Sequence, residues 1–545
     1  MAGEFNQKKI MSDSFCYARL SFLDAPHISS IIKDYLSGNL PSDLYGYSPN
    51  NTGMLAQAKT RAAQFTHRDV LVKSLRRQYE TCNSVIASKD VVLANIDALN
   101  KSNTLTVTTG HQACFGAGPL YSIYKIISTI VTAKSLSETD PHHNYVPVFW
   151  MATEDHDWEE ANHFFIDGKK WTFDIPVEGC VGHSPTDGME KWLETFASQL
   201  PAGAVSEEIM RHLKNAYVTH DNWADATRQW AHDLFAQYGL VVIDGDDKAL
   251  KSLFIPVMER ELFGEGFSEP LSKSKKLLSD VGYTEQAHPA DVNLFFIGEG
   301  GRIYPKRTPN GFATEADSWT TEEFKVHLHK QPQHFSPNVI LRPVYQECIL
   351  PNVAYFGGPG ELAYWLQLKS VFDAVNIPFP VLMLRHGFAL MDNKSIKRYE
   401  KLQSDLLFLP PKEWKENWVR NHSSLRLTLE EEKDVIAGLF DQLETIAAKT
   451  DGSMIGAVNA QRAKQIKGME KLEKKLLRAE KRHHSESMAH IDKLLNLLYP
   501  GKIPQERHDS LWMWWMKYGE NPIPKIISSA KDGYFGVLNL MSEAN

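Results

Sequence analysis

Residues Leu105–Lys134, LTVTTGHQACFGAGPLYSIYKIISTIVTAK, decide the fold. Leu105 and Val107 read as a buried strand. A loop comes next that carries Gly110, His111, Gln112, Gly116 and Gly118. Pro119 then fits the first turn of a helix, where a missing N–H costs little. Tyr121, Tyr124, Ile127, Ile130 and Val131 recur at helical spacing. A strand feeding a helix through glycines leaves free N–H groups at the helix start, a site for a phosphate or carboxylate. The same glycines serve equally as a tight turn without a ligand.

The next strand, YVPVFWMAT, is a continuous apolar run, as expected for a parallel strand covered on both faces. It ends at Glu154-Asp155-His156-Asp157. Ligands of open α/β sheets lie at the carboxyl ends of strands. The glycine loop and this acidic run are therefore expected on one edge of one sheet.

Residues 161–230 read as an insertion that opens with a hairpin turning at Asp167-Gly168. The core pattern resumes with a helix around Trp230–Tyr238 and the buried strand GLVVIDGDD. SLFIPVMERELF reads as a helix, and DVNLFFIGEGGRIYPKR as a second hairpin with Gly298–Gly301 near its turn. This hairpin falls in a further insertion, about 265–335. Beyond it, Val339–Leu341 is strand-like and Arg342 to Glu347 polar. Asn352–Phe356 is a strand closed by Gly357-Gly358-Pro359-Gly360, and a helix is expected from Glu361 to Phe372. Strand, glycine loop and helix thus occur twice. PVLMLRHG is a further buried strand.

Residues 1–104 are expected to be a mostly helical segment packed on a core spanning 105–390. From 391 to 500 the chain turns rich in Lys, Glu and Leu. Ile466, Met469, Leu472, Leu476 and Ala479, then Met488, Ile491, Leu495 and Leu498, recur at threes and fours. This spacing predicts a helical coiled-coil arm with its turn near Asp451-Gly452, and its apolar seam suits a second copy. Residues 501–545 dock back on the core. Trp512, Trp514 and Trp515 there are either core or a wall against a ligand.

The 545 residues exceed what one core serves, and 43% hydrophobic with 23% charged residues is ordinary soluble composition. The charge of 59 − 67 = −8 argues against a nucleic-acid partner. No apolar run approaches a membrane span, and residues 1–15 show no signal-peptide core, so a cytoplasmic setting is expected. Cys16, Cys82, Cys114, Cys180 and Cys348 are far apart with no CxxC pair, which fits reduced thiols. There is no GxxxxGK[ST].

His111, Asp155, His156 and Asp157 are the candidate catalytic residues. His111 and His156 would donate hydrogen bonds to a phosphate or oxyanion, and the acids would serve as base or ammonium contact. The EDHD run suits Mg²⁺ better than Zn²⁺, but consecutive residues do not all face one way, so no metal held by protein alone is expected. Arg342 would pair a carboxylate or phosphate, or else form a structural ion pair. Gly110, Gln112, Gly116, Gly118, Lys125, Glu154, Asn293, Gln346, Gly357, Gly358, Gly360 and Glu361 complete the candidate substrate or nucleotide contacts. Cys114 lacks a partner constellation that would mark it as a nucleophile.

Four stretches, TGHQACFGAGPLYSIYKIIST, PVFWMATEDHDWEEANHF, NVILRPVYQECILPNVAYFGGPGELAYW and QERHDSLWMWWMKYG, together resemble the bacillithiol biosynthesis cysteine-adding enzyme family over nearly the whole chain. Relatives often carry glutamine where this chain has His111. The resemblance implies a Rossmann-like α/β core with inserted connecting segments and a coiled-coil arm that forms a homodimer. It implies a ligase joining the carboxyl of cysteine to the amine of glucosaminyl-malate. Amide formation from a free carboxylate is uphill, so activation by ATP is expected, with Mg²⁺ as its companion. The rivals are a nucleotidyltransferase on another small substrate and a ligand-binding coiled-coil scaffold without catalysis.

Overall fold

The computed structural model describes residues 15–177, 179–298, 301–531 and 533–539. The signal-peptide reading therefore falls largely outside the described residues, as do Gly300 of the second hairpin turn and the last six residues. The chain divides into two compact units. One runs to Leu390 and resumes at Gln505, and the other spans Met391–Pro504.

The strands are, in chain order, β1 (Cys16–Ser21), β2 (Thr104–Gln112), β3 (Asn144–Ala152), β4 (His163–Ile166), β5 (Lys169–Thr172) and β6 (Val241–Asp244). Then come β7 (Leu294–Gly298), β8 (Gly301–Ile303), β9 (Lys306–Thr308), β10 (Gly311–Ala313), β11 (Ser318–Thr320) and β12 (Phe335–Pro337). The last are β13 (Asn352–Gly357), β14 (Val381–Leu384), β15 (Gly387–Met391) and β16 (Tyr534–Asn539).

β14-β13-β2-β3-β6 form one sheet in that order, all parallel. The chain moves from β2 outward to β6, then crosses back to β13 on the other side of β2. The neighbours β2 and β13 therefore flank a topological switch point, where a crevice opens at the strand carboxyl ends. This is the Rossmann-like core. Leu105, Val107, Tyr145, Val353, Phe356 and Val381 pack with Met54, Ala58, Ala133 and Leu136 beneath the sheet. Each fully buried Val, Leu, Met or Phe among them contributes roughly 1.5–3 kcal/mol.

β2 is longer than its glycine content suggested. Its nine residues pair with β3 from Thr104 opposite Asn144 to Gln112 opposite Ala152. Gly110, His111 and Gln112 therefore lie in the strand, not in the loop, because the ladder to β3 satisfies their backbone. The loop itself is Phe115–Ala117 and Gly118, with Gly116, Ala117 and Gly118 all at positive φ (54°, 68° and 63°). The helix beyond the loop is Leu120–Thr139, with Pro119 just ahead of it.

The hairpin β4–β5 turns at Asp167 (φ 48°) and Gly168 (φ 77°), as two-residue turns between twisted strands require. β7 and β8 pair as the second hairpin, with β12 on the other edge of β7. Val339–Leu341 is a turn and not a strand. The Asn338 Oδ1 accepts the Ile340 and Leu341 N–H groups, and a helix starts at Arg342 with Pro343 in its first turn. The expected helix from Glu361 to Phe372 is two, Pro359–Trp365 and Lys369–Ala374. SLFIPVMERELF likewise divides, at Leu253 and Phe254.

β1 is the departure from a helical N-terminal segment. It pairs with β16, which pairs with β15, so the two ends of the chain close one small sheet. Trp512, Trp514 and Trp515 are buried, the first donating its indole N–H to the Gly116 carbonyl at 2.7 Å. They are core.

In the second unit, helices Glu430–Thr450 and Ile455–His483 form an antiparallel pair around Gly452–Met454. Arg462–Asp441 and Lys433–Glu473 tie them together at 2.6 and 2.9 Å. No described helix is long and apolar enough to cross a membrane.

Candidate active site

A cleft of about 560 Å³ opens at the carboxyl edge of the sheet, over the β2/β13 switch point. β2 supplies Gly110, His111 and Gln112. β3 supplies Trp150 and Ala152, and the segment after it Glu154, Asp155, His156 and Glu160. β13 supplies Tyr355, and the turn beyond it Gly358, Gly360, Glu361 and Tyr364. The two strand ends expected to share an edge do so, and the Gln112 amide donates to Asp155 at 2.6 Å. The far wall comes from the second insertion and the residues just past it: Phe295, Arg302, Tyr304, Asn338 and Arg342.

Several backbone donors at the helix starts are already engaged. The Leu120 N–H donates to the Asp509 carbonyl, Gly116 N–H to the Tyr217 hydroxyl, and Gly118 N–H to the Phe115 carbonyl. The Gly358 N–H donates to the side chain of Glu361, which caps its own helix. A phosphate would find these donors taken.

Gly116 and Gly118 do not line the cleft. A Cβ on Gly116 would stand 2.8 Å from the Trp512 indole nitrogen, and one on Gly118 2.6 Å from Cys114 Cβ. Both are packing glycines. Gly357 is another, its Cβ position 3.0 Å from Leu362. Asp157 caps the Trp158–Ala161 helix, accepting the Glu160 N–H at 3.0 Å, and is not a cleft residue. Asn293 sits behind the wall, bonded to Glu261 and accepting from Asn338. Gln346 is buried and accepts from Arg342 at 3.2 Å, so it positions that arginine.

The cleft holds both signs of charge. On the floor, buried Lys125 donates to the Gly110 carbonyl at 2.9 Å and pairs with Glu361 at 2.5 Å. Burial lowers the Lys125 ammonium from its ordinary range. Burial opposes ionisation of Glu361, but Lys125, the Gly358 N–H and Tyr355 together hold its carboxyl low. Burial, reinforced by Lys125, pushes His111 down to about 3. His111 is therefore neutral at pH 7, its ring edge-on to Tyr121 at 4.8 Å and its Nε2 3.8 Å from Cys114 Sγ. It is no cationic phosphate clamp. Burial pushes the Cys114 thiol well above its ordinary range, so it stays protonated and is not a nucleophile.

The acids divide by role. Asp155 resists its own burial through Gln112, Arg302 and two backbone N–H groups, which hold its carboxyl low. Glu160 is raised by partial desolvation and by the nearby Asp157 and Asp155. A carboxylate with elevated basicity suits a general base, and a firmly ionised one suits an ammonium contact. Glu154 is held by Lys251 at 2.6 Å. That lysine also pairs with Asp246 at 2.8 Å, and Asp246 bonds His183 at 2.7 Å. Among the described residues no three His, Cys, Asp or Glu side chains converge on a metal position. A Mg²⁺ here would therefore draw ligands from a nucleotide's phosphates as well as from protein.

Two arginines share the cleft with the acids. The Arg342 guanidinium lies 5.7–6.0 Å from the ring centroids of Trp150, Tyr355 and Trp365. No carboxylate among the described residues is in ion-pair range of it. Arg302 lies 3.9 Å over the Phe295 ring and donates to Ser336 and the Pro337 carbonyl. Half-buried and without a direct carboxylate contact, Arg342 is free to take an anionic ligand group.

Comparison with known proteins places this architecture. The bacillithiol biosynthesis BshC N-terminal Rossmann-like domain matches residues 18–386, and the BshC C-terminal coiled-coil domain matches 388–536. The chain belongs to the BshC family. A protein of Christiangramia forsetii named "Putative cysteine ligase BshC" is 39% identical, over 93% of this chain and 96% of its own. One of the same name from Flavobacterium johnsoniae is 38% identical over 94% and 97%. A Bacillus cereus protein of that name is 26% identical over 88% and 92%.

Sequence reasoning missed Glu160, Arg302, Phe295, Tyr121 and Arg507 as cleft residues. Glu160 was within reach, four residues past His156 and one helical turn beyond the acidic run. Arg302 and Arg507 carry no local signal. They enter the site only through a hairpin and a C-terminal segment folded onto the core.

Proposed function

We propose that the chain is a ligase of bacillithiol biosynthesis that joins the carboxyl of cysteine to the amine of glucosaminyl-malate. The observation that carries this reading is one cleft that holds Asp155 and Glu160 after β3 together with Arg302 and Arg342. Glucosaminyl-malate presents an amine on a sugar and two carboxylates on the malyl group. In this reading the arginines hold the carboxylates, Asp155 contacts the ammonium form, and Glu160 removes its proton to free the nucleophile. Neutral His111, next to Lys125, donates a hydrogen bond where negative charge develops on the acyl oxygen. Family membership supports the same assignment.

The cysteine carboxylate needs activation, and ATP with Mg²⁺ is the proposed source, as an acyl adenylate or acyl phosphate. Several backbone donors at the helix starts are engaged, and Arg302 and Arg342 are candidate phosphate contacts as well. Along the arm, Val435, Leu439 and Ile446 are 74%, 54% and 61% exposed, and Leu472 and Leu476 are also open. This unburied stripe supports a homodimer. A cytoplasmic location accords with the reduced thiols of a cysteine-handling enzyme.

The test is direct. Purified protein, cysteine, glucosaminyl-malate and Mg-ATP are incubated, with bacillithiol read by mass and ATP by its hydrolysis product. Product with stoichiometric ATP consumption is expected. Product without nucleotide refutes the activation scheme, and no product under any condition refutes the reading.

A further inference from the structure

Beside the main cleft lies a smaller cavity of about 200 Å³. Its lining includes Cys114, Phe164, Phe165, His163 and His508. It shares three lining residues with the cleft: Tyr121, Glu160 and Arg507. Glu160 and Arg507 thus stand where the two cavities meet. Neither forms an ion pair, with each other or with any other described residue. An acid and a base, both solvent-reachable at one junction, match the two charged ends of an α-amino acid.

The cavity beyond that junction suits one kind of side chain. Its walls are aromatic and sulfur-bearing, with Phe165 stacked on His508 at 4.3 Å. Polarizable sulfur makes favourable contacts with aromatic rings, and a thiol can donate weakly to a ring nitrogen. The lining holds no charged side chain away from the junction, so a long cationic or anionic side chain has no partner there. The volume limits the occupant to a short group.

Building on the ligase reading above, we propose that this side cavity is the cysteine subsite. The thiol side chain enters between Cys114 and Phe165, the ammonium meets Glu160, and the carboxylate meets Arg507 at the mouth of the main cleft. This places the acyl carbon of cysteine toward the cleft that takes the amine. Cys114 then serves as a soft wall, which accounts for a cysteine with no nucleophilic role beside the site. It also assigns Glu160 to the junction of both substrates, contacting first one amine and then the other.

Binding by the full-length protein tests the assignment without turnover. Isothermal titration is run with cysteine, homocysteine, serine and glucosaminyl-malate on the wild type, Cys114→Leu and Phe165→Ala. Filling the cavity in Cys114→Leu is expected to weaken cysteine at least ~10-fold and leave glucosaminyl-malate unaffected. Widening it in Phe165→Ala is expected to raise homocysteine affinity relative to cysteine by ~10-fold or more, the scale of one methylene in a fitted pocket. The wild type is expected to prefer cysteine to both homocysteine and serine, a readout that needs neither variant to fold. If the wild type binds cysteine but does not discriminate, or both folded variants retain wild-type selectivity, the subsite is overturned while the ligase reading stands. If the wild type binds glucosaminyl-malate but never cysteine, the ligase reading falls and the subsite with it.

Discussion

Replacing His111 by glutamine should make stability depend less on acid. In the folded protein burial holds this imidazole at about 3, against about 6.5 in an unfolded chain. Between those values the unfolded state binds the extra proton, so stability rises with pH across that window and is lost as pH falls through it. At pH 7 the proton is absent from both states and the linked cost is near zero. At pH 5 the gap below the unfolded value is about 1.5 units, or about 2 kcal/mol. His111→Gln removes the titrating group. It also removes the edge contact to Tyr121 and the approach to Cys114, but these losses are the same at both pH values. Urea unfolding of the two proteins at pH 7 and pH 5 gives four free energies. The variant should gain about 2 kcal/mol on the wild type between pH 7 and pH 5. Every other titrating group cancels in that double difference. A variant-minus-wild-type difference that stays constant with pH would refute the buried neutral imidazole.

Glu361→Gln leaves Lys125 buried without its counter-charge, and unfolding studies should show a loss of about 3–5 kcal/mol, largely recovered in the Lys125→Met/Glu361→Gln double variant. Arg342→Met should be about as stable as the wild type, since it removes a half-buried cation with no carboxylate in ion-pair range. Its KM for glucosaminyl-malate should nonetheless rise about 10- to 100-fold, the worth of a charge-assisted hydrogen bond; an unchanged KM would remove Arg342 from the substrate. Glu160→Gln should lower kcat by about 10²–10⁴ and flatten the acidic limb of the rate profile, whereas retained kcat would assign the base elsewhere. His183 is raised by its hydrogen bond to Asp246, so its contribution is complete below about 6.5 and fades as pH rises through the folded value. His183→Gln should therefore lose stability at pH 6 and little at pH 9, by the same unfolding assay.

The sheet was legible because its signals are local. Apolar runs in β2, β3, β13 and β14 and the helical spacing after Pro119 announce parallel strands with crossover helices, and the Lys- and Glu-rich periodicity announces the arm. Parallel pairing then brings the strand ends to one edge, which is why Gln112 and Asp155 meet as the sequence led one to expect. β1 stayed hidden because six half-buried residues gain strand character only by pairing with β16, more than five hundred residues away.

The site was legible in half. His111, Gln112, Lys125, Glu154, Asp155, His156, Arg342 and the Gly358–Glu361 turn all line the cleft, since each sits at or just past a strand end. The glycines divided against expectation. A glycine in sequence signals a backbone position without a side chain, and does not say whether a ligand or a tryptophan occupies the space. For Gly116 it is Trp512, nearly four hundred residues on. The helix-start N–H groups obey the same logic: local sequence creates the orphan donor, but tertiary contacts such as the Asp509 carbonyl decide who satisfies it. Sequence alone thus determined the fold, its edge and the types of charge available there. The tertiary structure decided which charges remain unpaired in the cleft, because pairing depends on distances between segments that no local pattern records.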